Sequence, residues 1–477
     1  MGQEIDTVAF KSWHFNRFKC RLKQETDLLG QWAQDGRLSM RGPMAGFELE
    51  ACLIDQEFAP AFVNARFMQV MDDPRVAPEL ARFNIEFNSQ ACPLTARGLS
   101  EMHRELEAIW TRGMAAASAC EAKLLSIGIL PTLGPQHLTA DGLTPWNRYR
   151  VLNEQVMRAR EGRNLRLNVN GREHLRLEHD NMMLEAAGTS FQIHLQAPIT
   201  RVHRLYNAAL AVSAPVLAAG ANSPYLFGVD LWDESRMALF EQSLEVGGYG
   251  GAAQGPLRRV SLGLGYVRES IMECFEENLQ HFPVLLPMLF DDPPERLSHL
   301  RLHNGTIWRW NRPLIGFDTD GTPHVRIEHR VLPGSPSTVD AISDAAFFYG
   351  LITGLCEEEI GLETRLPFAQ AKQNFYQAAR HGLSARMIWL NEKRTGVRTL
   401  LLDELLPLAR HGLLGLALAP ADCERYLGII EQRVASGQNG ATWQREFVKR
   451  HGRDLRGLTA AYAEHQQTLA PVHTWPL

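Results

Sequence analysis

Two glutamates in an otherwise apolar stretch are the first residues of this chain whose spacing suggests chemistry. In GFELEACLID (46–55), apolar residues alternate with Glu48 and Glu50, as in a β-strand with one buried face. Same-face neighbours lie about 6.6 Å apart along a strand, and the segment contains no lysine or arginine. Unpaired carboxylates held out of water are costly. We therefore expect a cation beside Glu48 and Glu50.

Three later segments repeat this pattern of one apolar and one polar face. They are FNIEFNSQ (83–90), TSFQIHLQ (189–196) and HVRIEHRVL (324–332), and their polar faces carry Glu86, Asn88, Gln192, His194, Arg326, Glu328 and Arg330. An ordinary sheet with one solvated face would also alternate, but such faces usually carry lysine and threonine. Carboxylates, amides, histidine and arginine are instead the residues that bind cations and anions. The pattern favours a functional face.

If these faces converge, the residues suit phosphoryl transfer with a divalent metal and without a P-loop. The four glutamates offer the hard oxygen ligands that Mg²⁺ or Mn²⁺ prefers, and paired ions can bridge a phosphoryl group. His194 could be a further ligand, although a hydrogen-bonded interior histidine is an equally good interpretation. Arg326 and Arg330 flank Glu328 and could hold a carboxylate or phosphate bidentately.

The elements that must position these residues indicate an α+β fold. Helices are predicted over 8–36, 98–125 and 201–220, strands over LLSIGILP (124–131) and TIWRWN (306–311), and an almost wholly helical part after about residue 340. The region 146–181 is polar and rich in arginine, and VGGYGGAAQG (246–255) has the composition of a flexible loop or lid. Since no Pro/Ser/Gly-rich spacer separates these parts, we expect them to pack together.

Composition excludes several classes of function. The 477 residues carry a net charge of −5, which gives no reason to expect nucleic acid or a membrane as a partner. The seven cysteines are scattered and never form a CxxC pair, so we expect no disulfide framework or structural zinc, and a cytoplasmic location. The N-terminus has no signal-peptide core, and the apolar run 208–221 is too short to span a membrane. No lysine occurs between Lys123 and Lys372, so phosphates bound there would need arginine, metal or backbone.

Taken in order, these segments resemble the carboxylate–amine ligases related to glutamate–cysteine ligase, of the plant/proteobacterial type. The resemblance runs from about residue 46 to about 390. GFELE is similar to the family's G-x-E-x-E strand, IEFN to its second acidic strand, SFQIHL to its Gln-x-His strand and RIEHR to its Glu-x-Arg strand. Three further segments look like a family turn, a Trp/Arg-Pro segment and a C-terminal helix: ANSPYLFG with Arg236 following, IWRWNRP, and NFYQAARHGL.

The resemblance implies a glutamine-synthetase-like fold, in which a curved antiparallel sheet with flanking helices forms the active-site bowl. It implies a catalytic domain over 46–390. The flanking residues have no clear counterpart in the family, and from their pattern we expect an N-terminal helical extension over 1–45 and a helical region over 391–477 packed on the catalytic domain. By the family pattern, the metal ligands are Glu48, Glu50, Glu86, His194 and Glu328, the catalytic residues are Arg330 and Arg312, and the substrate or nucleotide contacts are Asn88, Gln192, Asn222, Arg236, Trp308 and Arg326.

The implied reaction uses ATP and Mg²⁺ (or Mn²⁺). ATP would phosphorylate the γ-carboxylate of glutamate or a related acid, and an amine would attack the acyl phosphate to give an amide. Trp310, Asn311 and Pro333 depart from the family pattern, which leaves the amine open, cysteine included. The expected partners are therefore small molecules, and a homo-oligomer stays open.

Two other functions compete with the ligase. A catalytically weak paralogue could bind nucleotide or amino acid and act through a partner protein, but buried acids without metal would only destabilise it. A metal-dependent hydrolase would need a positioned general base, and no HExxH pair occurs.

Overall fold

The structure is a computed structural model that describes residues 9–246, 258–357, 361–390 and 392–477. Within these ranges the strands are β1 (Met44–Ile54), β2 (Val76–Pro78), β3 (Asn84–Asn88), β4 (Cys92–Pro93), β5 (Lys123–Leu125), β6 (Leu165–Asn170), β7 (His174–His179), β8 (Ser190–Gln196), β9 (Tyr225–Leu226), β10 (Val229–Asp230), β11 (Asn311–Phe317), β12 (Pro323–Pro333), β13 (Arg386–Ile388) and β14 (Arg394–Gly396). Eight of them form the main sheet, and the other six pair as three short hairpins.

The main sheet is antiparallel, with the order β11-β12-β8-β1-β3-β2, while β4 and β5 pair with the two ends of β1. The register of the sheet places the polar residues of β1, β3, β8 and β12 opposite one another. Glu50 lies opposite Glu86, and His194 lies opposite Glu328. Because alternate residues share a face, the polar side chains of neighbouring strands come to one side. This curled antiparallel half-barrel with flanking helices confirms the predicted fold class.

The described helices cover the other face of the sheet and its ends. They are α1 (Ser12–Gln34), α2 (Asn64–Met71), α3 (Gly98–Ala119), α4 (Asn147–Ala159), α5 (Ile199–Gly220), α6 (Arg236–Ser243), α7 (Met272–His281), α8 (Ser298–Gly305), α9 (Thr338–Glu357), α10 (Leu362–Arg365), α11 (Phe368–His381), α12 (Val397–Leu400), α13 (Leu406–Gly415), α14 (Pro420–Ser436), α15 (Gly440–His451) and α16 (Leu455–Gln467). One π-helical turn, Leu401–Leu405, joins α12 to α13.

Helix α9 lies at the centre of the core. It packs against α5, α13 and α14, and its Tyr349 hydroxyl donates to the backbone oxygen of His194 at 2.9 Å, which fixes it to the sheet. Among the described helices it is the one long and apolar enough to span a membrane, but all of its apolar window is buried inside the protein. It is therefore a core helix.

Several local predictions were wrong in their bounds. The strand expected over 306–311 begins only at Asn311, because the backbone before it pairs with Ser261, which forms a bridge with Arg309 and accepts from the Trp310 N–H at 2.9 Å. LLSIGILP forms only the short β5, and the chain beyond it makes isolated contacts instead of a ladder: the Gly128 oxygen accepts from the Thr189 N–H at 2.9 Å, and Ile129 forms a single bridge with Gly188. The arginine-rich region 146–181 folds as α4 and the hairpin β6–β7.

Three further predictions concern the glycine-rich segment, the cysteines and the domain division. Residues 247–255 of the glycine-rich segment lie outside the described residues. All seven cysteines are free, which confirms that they form no disulfide framework. The division at residues 45 and 390 stays a prediction.

Candidate active site

Three metal-ligand side chains from adjacent strands meet on the polar face of the sheet. Ligand atoms of Glu48 on β1, His194 on β8 and Glu328 on β12 all lie within 4.8 Å of one another, and all three residues are buried. Oε2 of Glu48 and Nε2 of His194 are buried without a hydrogen-bond partner among the described residues. Buried polar atoms are rarely left unpaired. These two unused ligand atoms beside a third carboxylate fit a hard cation such as Mg²⁺ or Mn²⁺.

Two arginines hold Glu328 in place. Arg312, opposite it on β11, forms a fork, with Nε to Oε2 at 2.8 Å and Nη2 to Oε1 at 3.0 Å, and Nη1 of Arg330 donates to Oε2 at 3.2 Å. Burial alone would raise the pKa of Glu328, but Arg312 and Arg330 outweigh it and lower that pKa to about 2. Oε2 accepts from both arginines, but Oε1 accepts from Arg312 and has a second lone pair, so Glu328 can still accept a cation there.

His194 is held between Arg326 and Glu48. Nε of Arg326 donates to Nδ1 of His194 at 3.1 Å, so the ring hydrogen lies on Nε2, which faces Oε1 of Glu48 at 3.2 Å. Although burial would raise the pKa of Glu48, His194 and Arg330 hold it well below the usual range. A cation bound at Nε2 would replace the ring hydrogen there and require Arg326 to release Nδ1.

Gln192 connects the acidic side of the site to Arg330. Its Nε2 donates to Oε1 of Glu50 at 2.9 Å, and its Oε1 accepts from Nη1 of Arg330. The backbone N–H of Ser190 donates to Oε2 of Glu50 at 2.7 Å. These contacts fix Glu50 and Arg330 relative to each other before any substrate arrives.

A second acidic group lies beside the triad and includes two glutamates that the sequence analysis did not single out. The carboxyl groups of Glu79 and Glu185 lie close to those of Glu50 and Glu86. Burial, reinforced by neighbouring carboxylates, raises the pKa of Glu50 to about 7 and that of Glu86 and Glu185 to about 8, and also raises the pKa of Glu79. Glu185 is the one charged residue in the apolar run MMLEAA, and this isolation could have marked it as a candidate site residue. The crowding of the four carboxyl groups favours a bound proton or cation.

A cavity of about 320 Å³ opens onto these groups. Of the predicted residues, Glu48, Glu50, Glu328, Trp308, Arg312, Arg326 and Arg330 line it; Glu79, Arg148, Tyr149, Glu185, Arg301 and several leucines complete the wall. Its size is that of a small-molecule site, in which a few polar groups fix the ligand against apolar surface. The cavity can therefore hold an anionic small molecule against both arginines and the candidate metal ligands.

Of the six predicted substrate or nucleotide contacts, four lie away from the cavity lining, namely Asn88, Gln192, Asn222 and Arg236. Asn88 donates to Glu86 at 2.9 Å and so supports the acidic group. The Asn222 amide donates to the backbone oxygen of Gly334, within the core. Gln192 bonds to Glu50 and Arg330. Since none of the four lines the cavity, a direct substrate contact is not observed for any of them, and their roles stay predictions.

Arg236 has an intermediate position. It lines a small pocket behind Glu50 and Arg330, and it donates to the backbone oxygens of Arg330 and Val331. It therefore supports the strand that carries Arg330.

Comparisons with known proteins agree with this arrangement. Residues 44–464 match the family model of glutamate-cysteine ligase family 2. The fold is similar to that of a glutamate–cysteine ligase from Francisella tularensis solved in complex with AMP (TM-score 0.52, 11% identity, 91% of each chain). It is also similar to a bifunctional glutathione synthetase from Pasteurella multocida (TM-score 0.52, 13% identity), covering 94% of this chain and 55% of that one. A search of curated proteins finds no match. At these identities the structural likeness concerns the fold alone.

Proposed function

The chain belongs to glutamate-cysteine ligase family 2, a family of carboxylate–amine ligases, and we propose that it is an ATP- and Mg²⁺-dependent ligase. It joins a glutamate-like carboxylate to an amine through an acyl phosphate. The observation that carries this proposal is the buried set of Glu48, His194 and Glu328, whose two glutamates line one cavity together with Arg312, Arg326 and Arg330. The AMP complex of the Francisella protein supports the use of a nucleotide.

Glu48, His194 and Glu328 would hold Mg²⁺ or Mn²⁺, with Glu50 and Glu86 beside them. When bound, such an ion neutralises phosphate charge and acts as a Lewis acid on the phosphoryl group. The protein without metal carries more acids than bases here, so these carboxylates are poised to accept a cation rather than to form further ion pairs.

Arg330 is the proposed catalytic arginine. Its Nη1 is fixed by Gln192 and Glu328, while its Nε is buried without a hydrogen-bond partner among the described residues. A donor held in advance near the cavity can stabilise charge that develops during transfer. Arg312 is different, because both Nε and Nη2 bind Glu328, so it acts as a positioning residue.

Two group transfers complete the reaction. An oxygen of the acid's carboxylate attacks the γ-phosphorus of ATP, and the bond to the leaving ADP breaks. The amine nitrogen then attacks the acyl carbon, phosphate leaves with its bonding electrons, and the nitrogen loses a proton. Arg330 faces the charge in both steps, and the apolar cavity wall keeps water from the acyl phosphate.

Cysteine is the first amine to test. Trp310 and Asn311, which depart from the family pattern, are buried and lie outside the cavity lining. Nε1 of Trp310 donates to Glu241 at 3.1 Å, and Oδ1 of Asn311 pairs with His329 at 2.7 Å. These departures therefore alter the packing behind the site and not the surface that an amine would contact.

We further propose that the substrates are small molecules and that the enzyme is cytoplasmic, consistent with its free cysteines.

An ADP-release assay tests the proposal. The wild-type chain is supplied with ATP and Mg²⁺ and with pairs drawn from glutamate-like acids and amines, including cysteine. Release should require Mg²⁺, one acid and one amine, and should be lost in Glu48→Gln but not in Glu178→Gln, an exposed change on the hairpin β6–β7. No amine-dependent ADP release from any pair, despite measurable ATP binding, would overturn the ligase.

A further inference from the structure

We propose that Glu25 of helix α1 is a positioning residue for the substrate cavity, acting through α8. Helix α1 precedes residue 44, where the family match begins. Its buried face packs against α7 and α8. The N-terminal region thus supports the cavity wall from behind, and through α8 it contributes to substrate binding.

Glu25 makes two hydrogen bonds to the first turn of α8. Its Oε1 lies 2.6 Å from Nδ1 of His299, and its Oε2 accepts from the backbone N–H of Leu300 at 2.8 Å. The side chains of Glu25 and His299 are each only 1% exposed. Because the backbone N–H of Phe290 donates to Nε2 of His299, the ring hydrogen lies on Nδ1 and is donated to Glu25.

These bonds supply a cap that α8 lacks locally. The helix starts after Leu297, which has φ 52°, and no side chain at that position caps it. The first N–H groups of a helix have no partner within the helix, and a carboxylate there is favourable. Glu25, distant in sequence, therefore fixes where α8 begins and how it is oriented.

Helix α8 carries a large part of the cavity wall. Six of its eight residues line the cavity: Ser298, Leu300, Arg301, Leu302, Asn304 and Gly305. Arg301, the one charged side chain among them, comes directly after Leu300. A shift in the first turn of α8 would therefore move a charged wall residue relative to the substrate.

The other end of α8 is anchored independently of Glu25. Nδ2 of Asn304 donates to the backbone oxygen of Pro313 at 2.9 Å, and Nη1 of Arg312 donates to that of Gly305 at 3.3 Å. Loss of Glu25 should loosen the first turn and leave the contact between Arg312 and Glu328 in place. The expected defect is in substrate binding and not in metal binding.

The N-terminal region also supports this wall at a second place. Phe10 packs in a separate apolar cluster with Leu286 and Met288, against which Phe290 also packs. Leu286 and Phe290 line the cavity. Both contact regions of the N-terminal part thus lie directly behind cavity residues.

Hydrogen exchange of the full chain tests the positioning without requiring activity. In Glu25→Ala, amides of residues 298–303 should exchange roughly tenfold faster, as expected when buried hydrogen bonds are lost. Peptides of β1, β8 and β12 should exchange as in the wild type. The matched control is Asp27→Asn, on the exposed face of the same helix. Unchanged exchange in α8, or equal acceleration in the sheet, would overturn the proposal.

Steady-state kinetics tests the consequence for substrates, and this arm rests on the proposed ligase reaction. In Glu25→Ala, KM for the acid or the amine should rise about tenfold, with Glu25→Gln between it and the wild type. The value of kcat and the Mg²⁺ concentration for half-maximal rate should change less than about twofold. An unchanged KM with a lowered Tm would show a purely structural role and overturn the proposal. A wild-type chain without ligase activity would refute the proposed function, and the exchange result would then decide this inference alone.

Discussion

Two buried groups of charged side chains in this protein differ in what their carboxylates have left to bind. Between α9 and α14, Arg433 donates to Asp340 at 2.7 Å and to Asp344 at 2.5 Å. The second oxygen of Asp340 accepts from the Ser337 hydroxyl and the Val472 backbone. On the sheet, by contrast, Oε1 of Glu48 faces Nε2 of His194 at 3.2 Å, while its Oε2 is buried without a hydrogen-bond partner among the described residues, and Glu48 lines the cavity.

This difference separates a structural charge group from a functional one. Burial alone does not distinguish the two groups, because Asp340, Asp344 and Arg433 are as buried as the residues of the site. A shifted pKa does not distinguish them either, because burial, with Asp340 nearby, raises the pKa of Asp344 to about 6 despite Arg433. The distinguishing features are unused acceptor atoms and an adjacent cavity. The unpaired atom of the α9–α14 group among the described residues is a donor, Nε of Arg433.

The largest expected effect is on stability and comes from the α9–α14 group. Arg433→Met leaves Asp340 and Asp344 buried without their cation, which should cost about 3–5 kcal/mol of unfolding free energy. Urea unfolding measures this cost. Activity per folded molecule should stay unchanged, because the group lies away from the cavity.

A compensating variant sharpens this prediction. Adding Asp344→Asn to Arg433→Met removes one of the two stranded charges, so it should recover part of the lost stability. Full stability of Arg433→Met alone would show that the group is not the structural one, and the comparison would fail.

The next largest effect is on catalysis and comes from the site. Glu48→Gln should lower the rate of Mg²⁺-dependent ADP release by roughly 10²–10³-fold, about 2.7–4 kcal/mol of barrier. Its unfolding free energy should change by less than about 1 kcal/mol, because the change removes a charge from a crowded acidic site. Assaying both quantities on one preparation tests the contrast with Arg433→Met. A loss of stability as large as that of Arg433→Met would place Glu48 among the structural charges.

Much of the fold and part of the site could be predicted from alternation along single strands. Glu48, His194 and Glu328 each stand on a strand whose period of two is plain in the sequence, so their meeting followed once the strands were paired. Glu79 and Glu185 could not be placed in this way. Glu79 comes just after the three-residue β2, and Glu185 is in the short helical turn Met182–Ala187, where no period of two exists. Their positions beside Glu50 depend on tertiary packing, which local sequence does not indicate.

Asn222 is a different case, because its predicted substrate contact stays a prediction. It stands in a family-like turn, where local sequence does not distinguish a substrate contact from a core contact. In the structure its side chain bonds to Gly334 and Tyr462, residues more than a hundred positions away. Long-range partners of this kind are not encoded in local pattern.

A smaller effect should appear on adding metal. At a Mg²⁺ concentration about 100 times the dissociation constant, binding to the folded state alone adds about 2.7 kcal/mol of stability. Thermal unfolding should therefore show a higher Tm with Mg²⁺ in the wild type and in Arg433→Met, but not in Glu48→Gln. An equal shift in all three would mean that Mg²⁺ binds elsewhere.

The smallest expected effect is on the pH dependence of the unfolding free energy of the metal-free protein, and it comes from the ionisation of Glu185. Burial and the neighbouring acids raise its pKa from 4.5 to about 8 in the folded state. Between about pH 4.5 and pH 8 the folded chain therefore holds a proton that the unfolded chain has lost, so this residue's contribution to stability falls as pH rises. Glu185→Gln, which stays neutral, should gain about 1–2 kcal/mol of unfolding free energy over the wild type from pH 5 to pH 8, since each pKa unit is worth about 1.4 kcal/mol and the open cavity screens part of the shift.

Histidines with lowered pKa values, such as His303, titrate in both proteins, so their contribution cancels in the difference between the two plots of unfolding free energy against pH. A flat difference would show that the acidic group beside the triad is already neutralised by its arginines, which would make it resemble the α9–α14 group.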